Sequence, residues 1–183
     1  MKKSIKLLRQ ERLIDILEKD PFVTDDSLSK QLNVSIQTIR LDRMVLGIPE
    51  LRKRIKDVAK NNYDRVKTIS ESEIVGELVD LELNDRAISI LDTDGTMVFK
   101  KTQIVKGHYI FAMAESLALA VIDADVAITG IANLKYKIPV KAGEKLVAKA
   151  KVTQIKEIEY YVHIFISVQD EQVFRSKFIM KAV

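Results

Sequence analysis

Cysteine is absent from this 183-residue chain. That excludes disulfides and thiolate metal sites, and nothing requires an oxidising compartment. Histidine is nearly absent as well. His108 and His163 stand far apart, and no His, Asp or Glu spacing resembles a metal site. No apolar run approaches the roughly 20 residues of a membrane-spanning helix. The opening Met1-Lys2-Lys3-Ser4-Ile5-Lys6 lacks the apolar block and small-residue cleavage site of a secretory signal. There is neither a P-loop nor a dinucleotide fingerprint. These absences predict a soluble, cytoplasmic protein with no resident cofactor and no membrane partner. What is present is an apolar content of 47%, ample for one large domain or two small ones.

The net charge of +4 hides an asymmetry. Residues 1–70 carry 16 Lys and Arg against 10 Asp and Glu, a net +6. Residues 71–183 carry 14 against 16, a net −2. A basic first third joined to a mildly acidic remainder suggests a nucleic-acid module attached to something else, although a solvated basic face gives the same count.

Within the basic third, the stretch Val34-Ser35-Ile36-Gln37-Thr38-Ile39-Arg40-Leu41-Asp42-Arg43 reads as a short helix. Ile36 and Ile39 lie on one side, while Ser35, Gln37, Thr38, Arg40 and Arg43 are free to point outward. Ser35 is a good N-cap, because its hydroxyl can accept from an unpaired N–H of the first turn. Gln pairs with adenine and Arg with guanine in the major groove, and Ser and Thr suit phosphates or bases. An ordinary solvated helix carries the same mixture, so the flanks decide. Residues 4–19 read as a helix with Ile5, Leu8, Leu13, Ile16 and Leu17 on its apolar side, ended by Asp20-Pro21. Thr24 caps a second helix, with Asp25 and Asp26 in its positive first turn. Leu28, Leu32, Val34 and Ile39 would then share a small core. This is a helix-turn-helix spacing, with a generic protein-binding bundle as the other reading.

Gly47 suits a helix C-terminus and Pro49 the first position of the next helix. Ile48–Val66 reads as an amphipathic linker helix in which Ile48, Leu51, Ile55 and Val58 form a packing seam. Arg52, Lys53, Arg54 and Lys56 surround it. A seam paired between two copies would present these cations to a duplex backbone. A linker packed on its own second domain fits the pattern equally. Asn61-Asn62 is expected to weaken the helix, and Ser70-Glu71-Ser72 to mark a boundary.

Beyond residue 72 the period changes. Val75, Glu77, Val79, Leu81 and Leu83 form an odd-numbered, largely apolar face, followed by Ala87-Ile88-Ser89-Ile90-Leu91. Residues 106–122 return to helical spacing and are apolar nearly all round, so that helix must be buried. Four strand-like segments follow, at Val126–Val140, Lys145–Ile158, Tyr160–Val168 and Val173–Met180. One central helix wrapped by a long antiparallel sheet is the hotdog architecture. The fold class is therefore α+β, divided as helix-turn-helix domain 1–47, linker helix 48–70 and hotdog domain 71–183. Dimerisation is one way to manage the sheet's edges.

Thr38-Ile39-Arg40-Leu41-Asp42-Arg43, Ile48-Pro49-Glu50-Leu51-Arg52, Phe99 and the Gly107-His108 step resemble one family over essentially the whole chain. So do Ala87-Ile88-Ser89-Ile90-Leu91 and Val147-Ala148-Lys149-Ala150-Lys151-Val152. This is FapR, the fatty-acid and phospholipid biosynthesis repressors. The resemblance implies a homodimeric, non-enzymatic repressor that binds an inverted-repeat operator in double-stranded DNA. It also implies a DeoR-like helix-turn-helix and release from DNA when malonyl-CoA binds the hotdog domain. A thioester carbonyl wants N–H donors at a helix N-terminus, and Gly107 lets it approach the backbone. Phe99 and Phe111 would line the acyl slot, although plain core packing is the commoner fate of an isolated aromatic. The family has arginine where this chain has Lys106, which supplies charge without the planar fork that matches a carboxylate. It has asparagine where this chain has Glu115.

That acid opens two alternatives. Hotdog thioesterases use a central-helix Asp or Glu against the thioester, so Glu115 would serve a DNA-linked thioesterase. Alternatively, the repressor senses another acyl-CoA, or has lost sensing through a Lys106–Glu115 pair that closes the site. In the repressor reading, effector binding orders the loops around Phe99–Lys106, captures the linker and pulls the DNA-binding domains out of register.

Overall fold

The computed structural model describes residues 5–183; the expectations for Met1–Ser4 lie outside them. The chain forms two compact units that part after Asp57. This division falls inside the linker helix rather than at either of its ends.

The first unit holds α1 (Ile5–Lys19), α2 (Asp25–Gln31), α3 (Ile36–Leu46) and the start of α4 (Leu51–Tyr63). Leu13, Leu17, Leu28 and Ile39 form its core, with Leu32, Val34, Leu46 and Ile48 packed around them. Ile5 and Leu8 are exposed instead of joining the apolar side of α1. The side of α1 that is buried includes Gln10, whose amide donates to Asp42 Oδ1 at 2.9 Å. Arg9 Nε donates to Asp42 Oδ2 at 2.6 Å. Thr24 caps α2 by accepting from the Ser27 N–H, and Ser35 caps α3 by accepting from that of Thr38, both at 3.1 Å. Gly47 closes α3 in the left-handed region at φ 69°, with its N–H turned back to Arg43 O and Met44 O.

The second unit is a six-stranded antiparallel sheet around α5 (Gly107–Ala120), the hotdog fold. Its strands are β1 (Glu77–Glu82), β2 (Arg86–Asp92), β3 (Ala127–Tyr136), β4 (Lys145–Lys156), β5 (Glu159–Val168) and β6 (Glu171–Ala182). Their order is β1-β2-β4-β5-β6-β3, which leaves β1 and β3 at the edges. Val162, Ile164 and Ile166 of β5 and Phe174, Phe178 and Met180 of β6 are buried in the same core as Met113, Ala114, Leu117 and Ala118 of α5.

Three boundaries differ from the periodicity. The expected odd-numbered face of β1 is not the buried one throughout, because a bulge between Leu78 and Asp80 shifts the register, so Leu78 and Leu81 are the buried pair. β3 stops at Tyr136, short of Pro139, which cannot donate to a ladder. The linker helix ends at Tyr63, just after Asn61-Asn62. Its last residues dock on the sheet: Asn62 Nδ2 donates to Leu78 O at 2.9 Å and the Tyr63 hydroxyl to Gly76 O at 3.2 Å.

Candidate functional site

In the first unit, the side chains expected to meet a nucleic acid lie on α3 and the start of α4. Ser35, Gln37, Arg40, Arg52 and Lys53 are exposed, and Thr38 is half-buried. Ser35 and Thr38 share a 2.9 Å hydrogen bond between hydroxyls, so the cap fixes both at the entrance of α3. Among the described residues Arg40 keeps only a long contact, 3.6 Å to Asp25. Arg40 and Arg52 line a depression of about 690 Å³ that Ile48 and Pro49 floor.

Two arginines expected on this face are not on it. Arg43 is buried, with Nη2 on Asp25 Oδ2 at 2.7 Å. Arg54 is also buried, and three of its nitrogens donate to backbone carbonyls. Nε reaches Pro21 O (2.9 Å), Nη1 reaches Pro49 O (2.6 Å) and Nη2 reaches Val23 O (2.8 Å). Burial, with Arg43 adding to it, pushes the Arg54 guanidinium below its ordinary pKa. Both are clamps that hold the turns around α2 and α4. Arg43 follows Ile39 by four residues and so shares its inward face; that signal was available in the sequence. Sequence reasoning passed over Leu41, Met44 and Val45, which leave an exposed apolar strip along α3.

In the second unit, a cavity of about 340 Å³ opens at the first turn of α5 between Ile104, Val105, Gly107, Ile110, Tyr136 and Val140. Its lining is mostly apolar. Unlike α2 and α3, α5 has no side-chain cap: Lys106 occupies the N-cap position and bonds no helix N–H. The positive end of the helix dipole therefore meets the cavity without a side-chain acceptor, the Tyr109 N–H alone being turned back to Lys106 O at 3.1 Å. Gly107 has a reason to be glycine that the sequence did not reveal. A Cβ there would lie 3.1 Å from the Tyr136 hydroxyl and 3.2 Å from its ring. That hydroxyl donates to Gly107 O at 2.9 Å, and burial pushes its pKa up.

The remaining expected residues, Phe99, Phe111 and Glu115, do not line this cavity. Phe99 is 54% exposed, at the base of a tight hairpin whose N–H of Phe99 donates to Ile104 O at 2.9 Å. Phe111 is half-buried, its ring 6.0 Å from that of Phe178. Glu115 accepts from Thr129 Oγ1 at 2.8 Å, and among the described residues it makes no ion pair with Lys106. The pairing that would close the site is thus absent. Gly107 and Glu115 both meet β3, through Tyr136 and Thr129. Among the described residues no cluster of His, Asp and Glu is placed to hold a metal ion, and no helix is long and apolar enough to cross a membrane.

No protein-family model matches the chain. Curated relatives match it almost end to end. The chain is 55% identical over 178 residues to the transcription factor FapR of Thermoanaerobacter sp. strain X514, covering 97% of this chain and 89% of that one. It is 48% identical over 175 residues to FapR of Bacillus subtilis strain 168, covering 94% and 93%. The chain belongs to the FapR family of transcription factors. Among solved structures, PH1136 from Pyrococcus horikoshii superposes with a TM-score of 0.58 at 26% identity, over 62% of this chain and 87% of that one. Cj0977 from Campylobacter jejuni gives 0.64 at 20%, over 69% and 91%.

Proposed function

We propose that this chain is a homodimeric repressor of fatty-acid and phospholipid biosynthesis genes that binds an inverted-repeat operator and is released by an acyl-CoA, malonyl-CoA first among them. The observation that carries the effector half is the uncapped N-terminus of α5 opening on an apolar cavity beside Gly107 and Lys106. Such a terminus supplies N–H donors to a thioester carbonyl. Lys106 supplies the cation for a free carboxylate. The DNA half rests on family membership and on Gln37, Arg40, Arg52 and Lys53, which stand exposed beside a capped α3. The homodimer rests on β3, whose outer edge is unpaired over ten residues with Ile128, Ile131 and Tyr136 exposed. Pairing of two such edges would bring a second copy to the strand that already touches Gly107 and Glu115.

A second reading is favoured by one contact. Thr129 orients the Glu115 carboxylate beside the sheet edge, as a positioned base in a thioesterase would need. Calorimetric titration of malonyl-CoA, acetyl-CoA and free CoA, with hydrolysis followed in the same samples, separates the readings. Selective malonyl-CoA binding without turnover, and loss of operator affinity by the same factor, is the expected result. Gly107→Val should remove the response while leaving operator binding intact, because its branched side chain meets the Tyr136 ring. Turnover abolished by Glu115→Gln would replace the repressor reading with the enzymatic one.

A further inference from the structure

The sheet face that points away from α5 carries a concentration of positive charge that neither the operator face nor the α5 cavity uses. Inward residues alternate with outward ones along each strand, and the register sets the outward ones in cross-strand rows. One row runs Lys151, His163, Lys177, Asn133; the next runs Lys149, Phe165, Arg175, Lys135. Five cations occupy these rows and no carboxylate does, although residues 71–183 are net acidic. Lys151 reaches Asp85. Among the described residues, Lys135, Lys149, Arg175 and Lys177 make no ion pair, and Arg175 sits directly opposite Lys135. Like charges so placed weaken a sheet. A surface that only needed solubility would intersperse the two signs.

Two aromatic rings lie among these cations. Phe165 is 43% exposed, and its ring stands 6.5 Å from that of His163, edge to face. Together with Asn133, Lys135, Arg175 and Lys177 they line an open depression of about 430 Å³. An exposed phenyl ring beside a half-buried imidazole on a sheet face, ringed by Lys and Arg, is what unpaired bases stack on while the cations follow the phosphates. A duplex backbone would leave the phenyl ring without a role. We propose that this outer face binds single-stranded nucleic acid, independently of the α3 face.

The lowered pKa of His163, caused by burial and by Lys177, agrees with a locally positive potential.

The test uses the full chain, fluorescein-labelled dT20 and a 20-base-pair duplex lacking operator sequence, read by anisotropy at fixed low salt. Arg175→Glu with Lys177→Glu should weaken dT20 binding at least tenfold while changing duplex binding less than twofold. Phe165→Ala should weaken dT20 binding about tenfold, as loss of one stacked base does. Arg40→Ala should leave dT20 binding unchanged. The double reversal removes the Lys135–Arg175 repulsion, so its thermal melting should not fall, which guards against misfolding as the cause. Absence of dT20 binding by the parent chain overturns the proposal. So does an unaffected Arg175/Lys177 variant, or equal weakening of dT20 and duplex with Phe165→Ala silent, the mark of generic charge. Patch-dependent flotation with phosphatidylserine vesicles and no dT20 binding overturns it in favour of a lipid surface.

Discussion

Asp42 shows how much one side chain settles in the first unit. It is 2% exposed, and its carboxylate takes bonds from Arg9 and Gln10 on α1 while sitting on α3. The hydrogen bond from Arg9, opposed by burial and helped by Gln10, holds its pKa below the usual carboxylate value. A folded pKa lowered in this way contributes stability that is fully present above the unfolded value, about 3.9. It is lost as pH falls from there through the folded value. Asp42→Asn should therefore destabilise the helical unit by about 2–3 kcal/mol at pH 7, with the difference from the parent shrinking toward pH 3. Urea unfolding followed by helical circular dichroism at both pH values checks this; an equal loss at each would mean packing, not charge, is responsible. The same burial logic separates the arginines. Among the described residues Arg52 makes no ion pair and Arg40 only a long one to Asp25, whereas Arg54 donates to Pro21, Val23 and Pro49.

Among the elements, β3 has the least internal support. Nine of its ten residues are not buried, and among the described residues one edge has no strand beside it. An exposed edge with Ile128 and Ile131 invites pairing with another strand, and a lysine placed there blocks such pairing. If the proposed dimer pairs through this edge, Ile131→Lys should shift it to monomer in sedimentation while leaving its circular dichroism unchanged, because Ile131 faces solvent within one chain. A variant that remains dimeric would place the dimer contact elsewhere. At the other edge, β1 is handled differently: its bulge turns Leu78 and Leu81 inward, and the end of α4 lies against it through Asn62 and Tyr63.

For the whole molecule, DNA affinity and effector affinity must be linked if one ligand displaces the other. In the proposed dimer the exposed cations Arg40, Arg52 and Lys53 would offer three groups per chain, six in all, to the phosphates. Neutralising that many phosphates gives a slope of about −5 in log affinity against log salt, a loss of roughly a thousandfold between 50 and 200 mM. Operator binding titrated across that range measures it. A slope near zero would remove these residues from the interface. Counting Arg43 and Arg54 as well would demand a steeper slope, which their buried guanidinium groups do not support.

Local chemistry along the chain determined a good deal. The caps at Thr24 and Ser35, the stop at Gly47, the buried α5 and the strand periodicity of the second unit each depend on neighbours within a few residues. The family resemblance was likewise carried by short local motifs. Tertiary structure alone turned Arg54 inward, because it meets Pro21 and Val23 more than thirty residues away. It alone set the Leu78 bulge, which depends on the pairing with β2. It brought Tyr136 to Gly107 across 29 residues, turning a glycine expected to make room for a ligand into one that also makes room for a ring of its own chain. Register across four strands, which no single strand encodes, gathered Lys149, Phe165, Arg175 and Lys135 into one row.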